Sequence, residues 1–396
     1  MKIPHVLSLL VALALPLPAQ AGDSPERASF PAFDAHLHVD VPLAGDGTPF
    51  PAADLKAAMA KAGMDGIAMT FAVDYVTLKE PGQAWRRFLA GLDGQAELLR
   101  RAGLALTPDG AAADRALAAG KPVVIQAVEG AHWLEGDVSR IAEAYGRGLR
   151  VFCLLHDNDA DPALGDVYTN EPKFGGLTPL GADAIRECER LGILVDLAHA
   201  DDKTIRDALA VATRPLVVSH TGPATRPGRD PFMAKMMAPR LIREETARAV
   251  AAAGGLVGVW PHLCATPADY AANVREVAGW VGTDHVCIGT DSKITPEIHE
   301  FDPEMLERIK KEMAGRGIAP GDGGEGGKRR GPPPQDLSRP NHVWPDEPEG
   351  FFPTVVRALR AEGFSDEDIA KVVGGNFLRL FREVTVPAPS PCPDHP

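Results

Sequence analysis

The chain has 396 residues and is 45% hydrophobic and 24% charged, enough apolar material for a large folded core, which excludes global disorder. Its 41 Lys and Arg against 54 Asp and Glu leave a formal net charge of −13. The absence of a long basic run argues against nucleic acid and anionic membrane surfaces as partners, because phosphate binding needs clustered cations.

The N-terminus reads as a leader rather than as structure. Lys2 precedes an apolar run from Val6 to Leu17, and Ala19-Gln20-Ala21 forms a small-x-small cleavage site, so residues 1–21 are predicted to be a signal peptide. The run is too short to span a bilayer, and no Cys stands near the site to carry a lipid, so no stable membrane anchor is expected. Export to the periplasm or medium follows from the leader. The five cysteines, Cys153, Cys188, Cys264, Cys287 and Cys392, lack CxxC spacing, which argues against a thiolate zinc site. Their disulfide pairing stays open.

Short apolar runs then alternate with helical patterns. Phe30–His36, Gly66–Phe71, Pro122–Val128, Arg150–Leu155, Ile193–Ala198, Pro215–Ser219, Leu256–Trp260 and His285–Thr290 are continuously apolar, as parallel strands covered on both faces are. Amphipathic helices are predicted over Asp54–Ala62, Trp85–Ala102, Val138–Arg147, Pro179–Leu191, Asp202–Val211 and Arg240–Ala253. Eight strands with intervening helices is the count of a (β/α)8 (TIM) barrel. An open doubly wound sheet is the alternative, but no Gly-x-Gly-x-x-Gly follows the first strand. Thr221–Pro239, with four prolines and no periodicity, reads as a long loop on the active face. Gly315–Pro348, rich in Gly and Pro, reads as a flexible insertion in a domain spanning 22–386. Phe351–Glu362 and Asp366–Glu383 read as closing helices, the second capped at Ser365, and 387–396 as a disordered tail.

Barrel chemistry sits at the carboxyl ends of the strands. The first ends in Asp34-Ala35-His36-Leu37-His38-Val39-Asp40, the third in Glu129, the fourth in His156, the fifth in His199, the sixth in His220 and the eighth in Asp291. Each alone is an ordinary polar residue at a strand terminus; six of eight together point to one site. Imidazoles and a carboxylate at one mouth match a nitrogen/oxygen zinc site, and a carboxylate can bridge two ions. The split is His36, His38 and Glu129 on one zinc, and Glu129, His199 and His220 on the other, with a bridging hydroxide as nucleophile. His132 is a candidate for a position behind the ligands; His262, His285, His299 and His342 have no spacing to recommend them.

The sequence resembles the membrane (renal-type) dipeptidase family. The resemblance is carried by His36-Leu37-His38, Val128-Glu129-Gly130-Ala131-His132, Asp196-Leu197-Ala198-His199, Ser219-His220 and Ile288-Gly289-Thr290-Asp291. Gly175-Gly176-Leu177-Thr178-Pro179-Leu180-Gly181 and Gly375-Asn376-Phe377-Leu378-Arg379-Leu380-Phe381 add to it. It implies an exported dizinc enzyme that cleaves dipeptides and tolerates a D-residue at the carboxyl side, with a homodimer as a further expectation. By position, Glu129 resembles the bridging ligand, Asp291 the carboxylate that shuttles a proton, and His156 the group that binds and polarises the scissile carbonyl. Arg240, expected at the start of a helix, resembles the arginine that grips the substrate carboxylate. The first strand departs from the family's His-x-Asp by carrying His38. A shifted register, His38 with Asp40, would restore that pattern, so both pairs stand as candidates. The departure leaves a lactone, cyclic amide or other small amide as alternative substrate, and a non-catalytic binding protein as the alternative from another class.

Overall fold

The apolar runs pair as strands of one curled parallel sheet. The computed structural model describes residues 30–45, 50–51, 54–295, 303–315, 317, 344 and 349–386. The leader and the tail from 387 lie outside the described residues, as does the expected insertion apart from Gly315, Gly317 and Trp344. The strands are β1 (Phe33–His38), β2 (Gly66–Thr70), β3 (Val123–Glu129), β4 (Leu149–Cys153), β5 (Leu194–Asp196), β6 (Val217–Pro223), β7 (Leu256–Val259) and β8 (Val286–Ile288). Successive strands are parallel neighbours in chain order. The chain leaving β8 then returns to β1, pairing Ser292 with Leu37 and Lys293 with His38. The fold is of the (β/α)8 type, as the alternation of runs predicts.

Alternate side chains divide the core into two layers. One set, including Phe33, Ala35, Ile125, Ala127, Val151, Leu194, Val217 and Cys287, fills the inside of the barrel with Phe377, Leu380 and Phe381. These last three belong to the closing helix Asn376–Val384, which plugs one end, with Phe377 stacked on Phe33 at 4.7 Å. The other set, with Ile67, Met69, Val124, Phe152 and Val257, packs outward against the helices. The plugged end leaves the carboxyl ends of the strands as the open mouth.

Helix ends follow the capping chemistry. Thr178 and Asp201 accept the amide N–H of Gly181 and Thr204 to open Pro179–Leu191 and Asp202–Val211, both at their predicted bounds. Three expectations are corrected. The helix expected from Arg240 begins at Glu244. Arg240 instead ends a 3-10 turn (Ala238–Arg240), and Leu241–Ile242 pairs with β6 because the Thr221 hydroxyl bonds both Arg240 O (2.7 Å) and Ile242 N (3.1 Å). The stretch Thr221–Pro239 is not wholly loop: Thr221–Pro223 extends β6, and Pro231–Met237 is helical under an Asp230 cap. The last helix is interrupted by a π turn at Lys371–Gly375, where Gly374 lies so close to Pro31 O that a Cβ would stand 2.3 Å from it.

The tightest backbone contact in the barrel wall lies beside the mouth. A Cβ on Gly258 or Gly289 would stand 1.7 or 1.9 Å from Ser219 O, so glycine is required where β7 and the end of β8 close on β6. Gly258→Ala is expected to destabilise the protein by about 3 kcal/mol, the upper end of overpacking costs, because backbone on both sides leaves no flexible group to yield. A lowered urea midpoint checks this; an unchanged midpoint would show that β6 and β7 can separate there.

Candidate metal centre

Strand parity carries the polar residues inward. Glu129 follows Ile125 and Ala127 on the inner face of β3. On β1 the register shifts between Asp34 and Leu37, so that Ala35, His36 and His38 turn inward while Leu37 packs outside. The buried Asp34 pins this irregularity by accepting the N–H of His36 (3.1 Å), the N–H of Thr290 (2.9 Å) and the Thr290 hydroxyl (2.7 Å). Asp196 repeats the device at the end of β5, accepting the N–H groups of Ala198 and Ser219, each at 3.0 Å. His199 and Asp291 follow these turns with φ of 68° and 50°, a left-handed backbone that L-residues seldom adopt.

Five imidazoles converge on one carboxylate. The Nε2 atoms of His36, His38, His156, His199 and His220 lie 3.5, 3.3, 3.5, 2.7 and 3.7 Å from Glu129 oxygens. Each ring is held by its other nitrogen. His36 Nδ1 faces the Ser219 hydroxyl (3.2 Å) and Asp196 (3.6 Å), and His220 Nδ1 the same hydroxyl (2.9 Å). His199 Nδ1 faces Tyr168 (2.7 Å) and Asp157 (3.0 Å), His38 Nδ1 faces Tyr75 (3.5 Å) and Asp40 (3.8 Å), and His156 Nδ1 faces Asp74 (2.7 Å). Polar groups behind a ring fix its tautomer and aim, as they do behind metal-bound histidines. Asp40 sits behind His38 and pairs with Lys293 (2.9 Å), so His36 and His38, not His38 and Asp40, are the pair that faces Glu129.

The residues present fit a bound cation. His36 Nε2 and both Glu129 oxygens are buried without a hydrogen-bond partner, and buried polar atoms are otherwise almost always paired. Among the described residues three groups of donors each lie within 4.8 Å of one another: His36/His38/Glu129/Asp291 and Glu129/His199/His220, which share Glu129, and His36/Asp196/His220.

The profile of the membrane dipeptidase family (Peptidase family M19) matches residues 27–319. The chain belongs to this family. Dipeptidase tcpJ of Claviceps purpurea is 26% identical over 271 residues, 68% of this chain and 53% of its own length. An uncharacterized dipeptidase of Schizosaccharomyces pombe is 29% identical over 217 residues, 50% of this chain and 48% of its own. The chain thus spans about half the length of the curated relatives it matches. Among solved structures, an amidohydrolase from Pseudomonas aeruginosa shares the fold with a TM-score of 0.65 at 20% identity, over 90% of this chain and 97% of that one. A metallopeptidase from Rhodobacter sphaeroides, liganded with a phosphinate mimic of L-Ala-D-Ala, does so with a TM-score of 0.60 at 18% identity, over 90% and 99%.

In this member of the dipeptidase family the remaining candidates line the same mouth. Asp291 lies 3.3 Å from His38 Nε2 and 3.6 Å from Arg240 Nη2. The Arg240 guanidinium lies over the rings of Tyr168 and Trp260, 5.4 and 4.9 Å from their centroids, beside a cavity of about 500 Å³ that His199, His220 and Trp260 also line. Spacing alone missed His262, whose Nε2 is 3.7 Å from Asp291. Asp74, Asp157 and Tyr168 carry no mark in the sequence, because they lie in segments beyond the apolar runs. His132 Nε2 stands 3.8 Å from Asp74, the carboxylate behind His156.

The charges are strongly coupled. Burial alone would raise Glu129, but the imidazoles of His156, His36 and His199 hold its carboxyl well below the usual range. Burial would likewise lower His36 and His156, yet Glu129 lifts His36 to about 9, and Asp74 with Glu129 lifts His156 to about 10. Both values exceed the unfolded value of 6.5, so in metal-free protein the stability these groups contribute is full below that pH and is lost as pH rises through about 9 and 10. Thermal melts of the chelator-treated protein are expected to show Tm falling from about pH 6.5 towards pH 10. A flat profile would mean that neither ring is charged in the folded state.

Proposed function

We propose that the protein is an exported metal-dependent dipeptidase that holds two zinc ions on Glu129. The observation that carries this is one buried carboxylate, without a hydrogen bond of its own, faced by five imidazoles that are each oriented from behind. His36, His38 and Glu129 would hold one ion, and Glu129, His199 and His220 the other. When bound, the pair supplies an acidified water and positive charge for a developing oxyanion. The curated relatives named as dipeptidases support the choice of a peptide over a lactone or cyclic amide.

The other residues have work suited to their places. Arg240, pre-oriented by Tyr168 and Trp260, forks onto the free carboxylate of a dipeptide. His156 presents Nε2 to the carbonyl oxygen. Asp291 takes the proton released as water oxygen bonds the carbonyl carbon, then passes it to the amine as the C–N bond breaks. Cleavage after Ala21 would release the protein to the periplasm or the medium, and N-terminal sequencing of the exported form should begin at Gly22.

The deciding experiment is hydrolysis of L,L and L,D dipeptides by the zinc-loaded protein, with and without chelator. L,D substrates belong in the panel because of the ligand on the Rhodobacter sphaeroides structure. Zinc-dependent cleavage is expected; metal-loaded protein inert on the whole panel would redirect the reading to lactones and cyclic amides. Asp291→Asn should lower kcat by about 10²- to 10⁴-fold at similar zinc content. Arg240→Ala should lower kcat/KM by about tenfold to a hundredfold, as loss of a charge-assisted bond predicts, chiefly through KM. An unchanged KM would remove Arg240 from the substrate carboxylate.

A further inference from the structure

The support behind His156 continues outward from the mouth to a separate helix. Asp74 lies four residues past β2, just after Ala72 bridges to Glu129, and is 3% exposed. Its Oδ1 is 2.7 Å from His156 Nδ1, and its Oδ2 accepts from Asn158 Nδ2 at 2.8 Å. The other end of that amide, Asn158 Oδ1, accepts from Arg308 Nη2 at 2.7 Å. Arg308 belongs to the helix Pro303–Gly315, which is tied to the rim of the mouth at two more points. Glu304 pairs with Lys79, and Gly317 O, just beyond the helix, accepts from Lys235 Nζ at 2.6 Å. A cavity of about 490 Å³ lies behind Asp74, between Asn158, His132 and Arg308.

The terminal torsion of a histidine is broad, so a ring needs a second anchor to keep Nε2 on target. Asp74 provides it, and Asn158 uses its donor on Asp74 and its acceptor on Arg308, so the three side chains have one mutually consistent arrangement. We propose that Asp74 is a positioning residue that holds His156 Nε2 towards the Glu129 cluster, and that Asn158 and Arg308 make this aim depend on the docking of helix Pro303–Gly315. The proposal rests on the reading of His156 as the group at the scissile carbonyl. It adds to that reading a residue that touches neither metal nor substrate.

The test uses the full-length zinc-loaded enzyme. Asp74→Ala should lower kcat about tenfold to a hundredfold, as loss of outer partners does, with KM within about twofold and zinc content unchanged. Asp74→Asn should regain part of kcat, because an amide oxygen accepts the same Nδ1–H, while its NH2 meets the Asn158 Nδ2 donor and that outer bond is lost. Asn158→Ala and Arg308→Ala should give smaller falls, again in kcat and not in KM. A readout independent of turnover is the downfield imidazole Nδ1–H resonance, assigned by its loss in His156→Gln. It should be present in wild type and in Asp74→Asn and absent in Asp74→Ala. Should Asp74→Ala not fold, Asn158→Ala carries the test through weakening of that resonance together with kcat. Unchanged kcat in Asp74→Ala, loss of zinc there, or Asp74→Asn as impaired as the alanine would each overturn the proposal. If no dipeptide is cleaved while the resonance still depends on Asp74, the functional reading fails and the positioning stands.

Discussion

Everything at the mouth depends on burying one carboxylate. Glu129 is fully enclosed, and a charge taken out of water costs far more than a local fold can supply unless opposite charge surrounds it. The five Nε2 atoms within 3.7 Å meet that demand only in part, because neither oxygen accepts a hydrogen bond of good geometry. A protein needing only a stable core would fill this space with apolar side chains, as the opposite end of the same barrel does with Phe33, Phe377 and Phe381. The contrast between a dry, stacked floor and an under-bonded polar mouth is what gives the barrel a direction.

The scaffold keeps that centre from collapsing into ordinary ion pairs by holding each ring from outside. Ser219 serves two rings at once, His36 and His220, and its own backbone is clasped by Gly258 and Gly289. Asp34 and Asp196 perform matching tasks, each accepting two backbone N–H groups across a strand end. They turn the chain where β1 meets β8 and where β5 meets β6. Rotation of His36 or His220 would therefore require breaking a bond to a group that also holds a strand. Metal ligation needs this kind of preorganisation, since a ligand set misplaced by an ångström loses its geometry.

The sequence showed much of this, and for a physical reason. Parallel strands covered on both faces must be continuously apolar, so a polar residue at the end of such a run stands out, as His36, His38, Glu129, His156, His199, His220 and Asp291 do. The residues it did not show lie where no run marks a place. Asp74 comes four residues past its strand, and Tyr168 sits in a segment with no periodicity. His262 follows Trp260 and Pro261, where the strand has already ended. The misplaced start of the helix at Arg240 has the same origin. Helical periodicity continues backward through Leu241 and Ile242, while the tertiary bond from Thr221 pulls those two residues into the sheet. Side-chain hydrogen bonds between distant segments leave no periodic trace.

Strain and support are distributed together around the centre. His199 and Asp291, both beside Glu129, carry a left-handed backbone, a conformation that persists in a non-glycine residue only when its surroundings over-determine it. Those surroundings are identifiable. His199 is held by Tyr168 and Asp157 on Nδ1, and Asp291 is anchored by its N–H to His36 O at 3.0 Å. Relaxing either residue would swing its side chain away from Glu129 and release the crowding of like groups, so unconstrained chain would not choose this arrangement. The closed barrel imposes it, since the segment after β8 that carries Asp291 must also pair with β1, which carries His36 and His38. Closing the sheet and assembling the donor set are thus the same event, and a change that loosens the β8–β1 seam reaches the centre without touching a single donor.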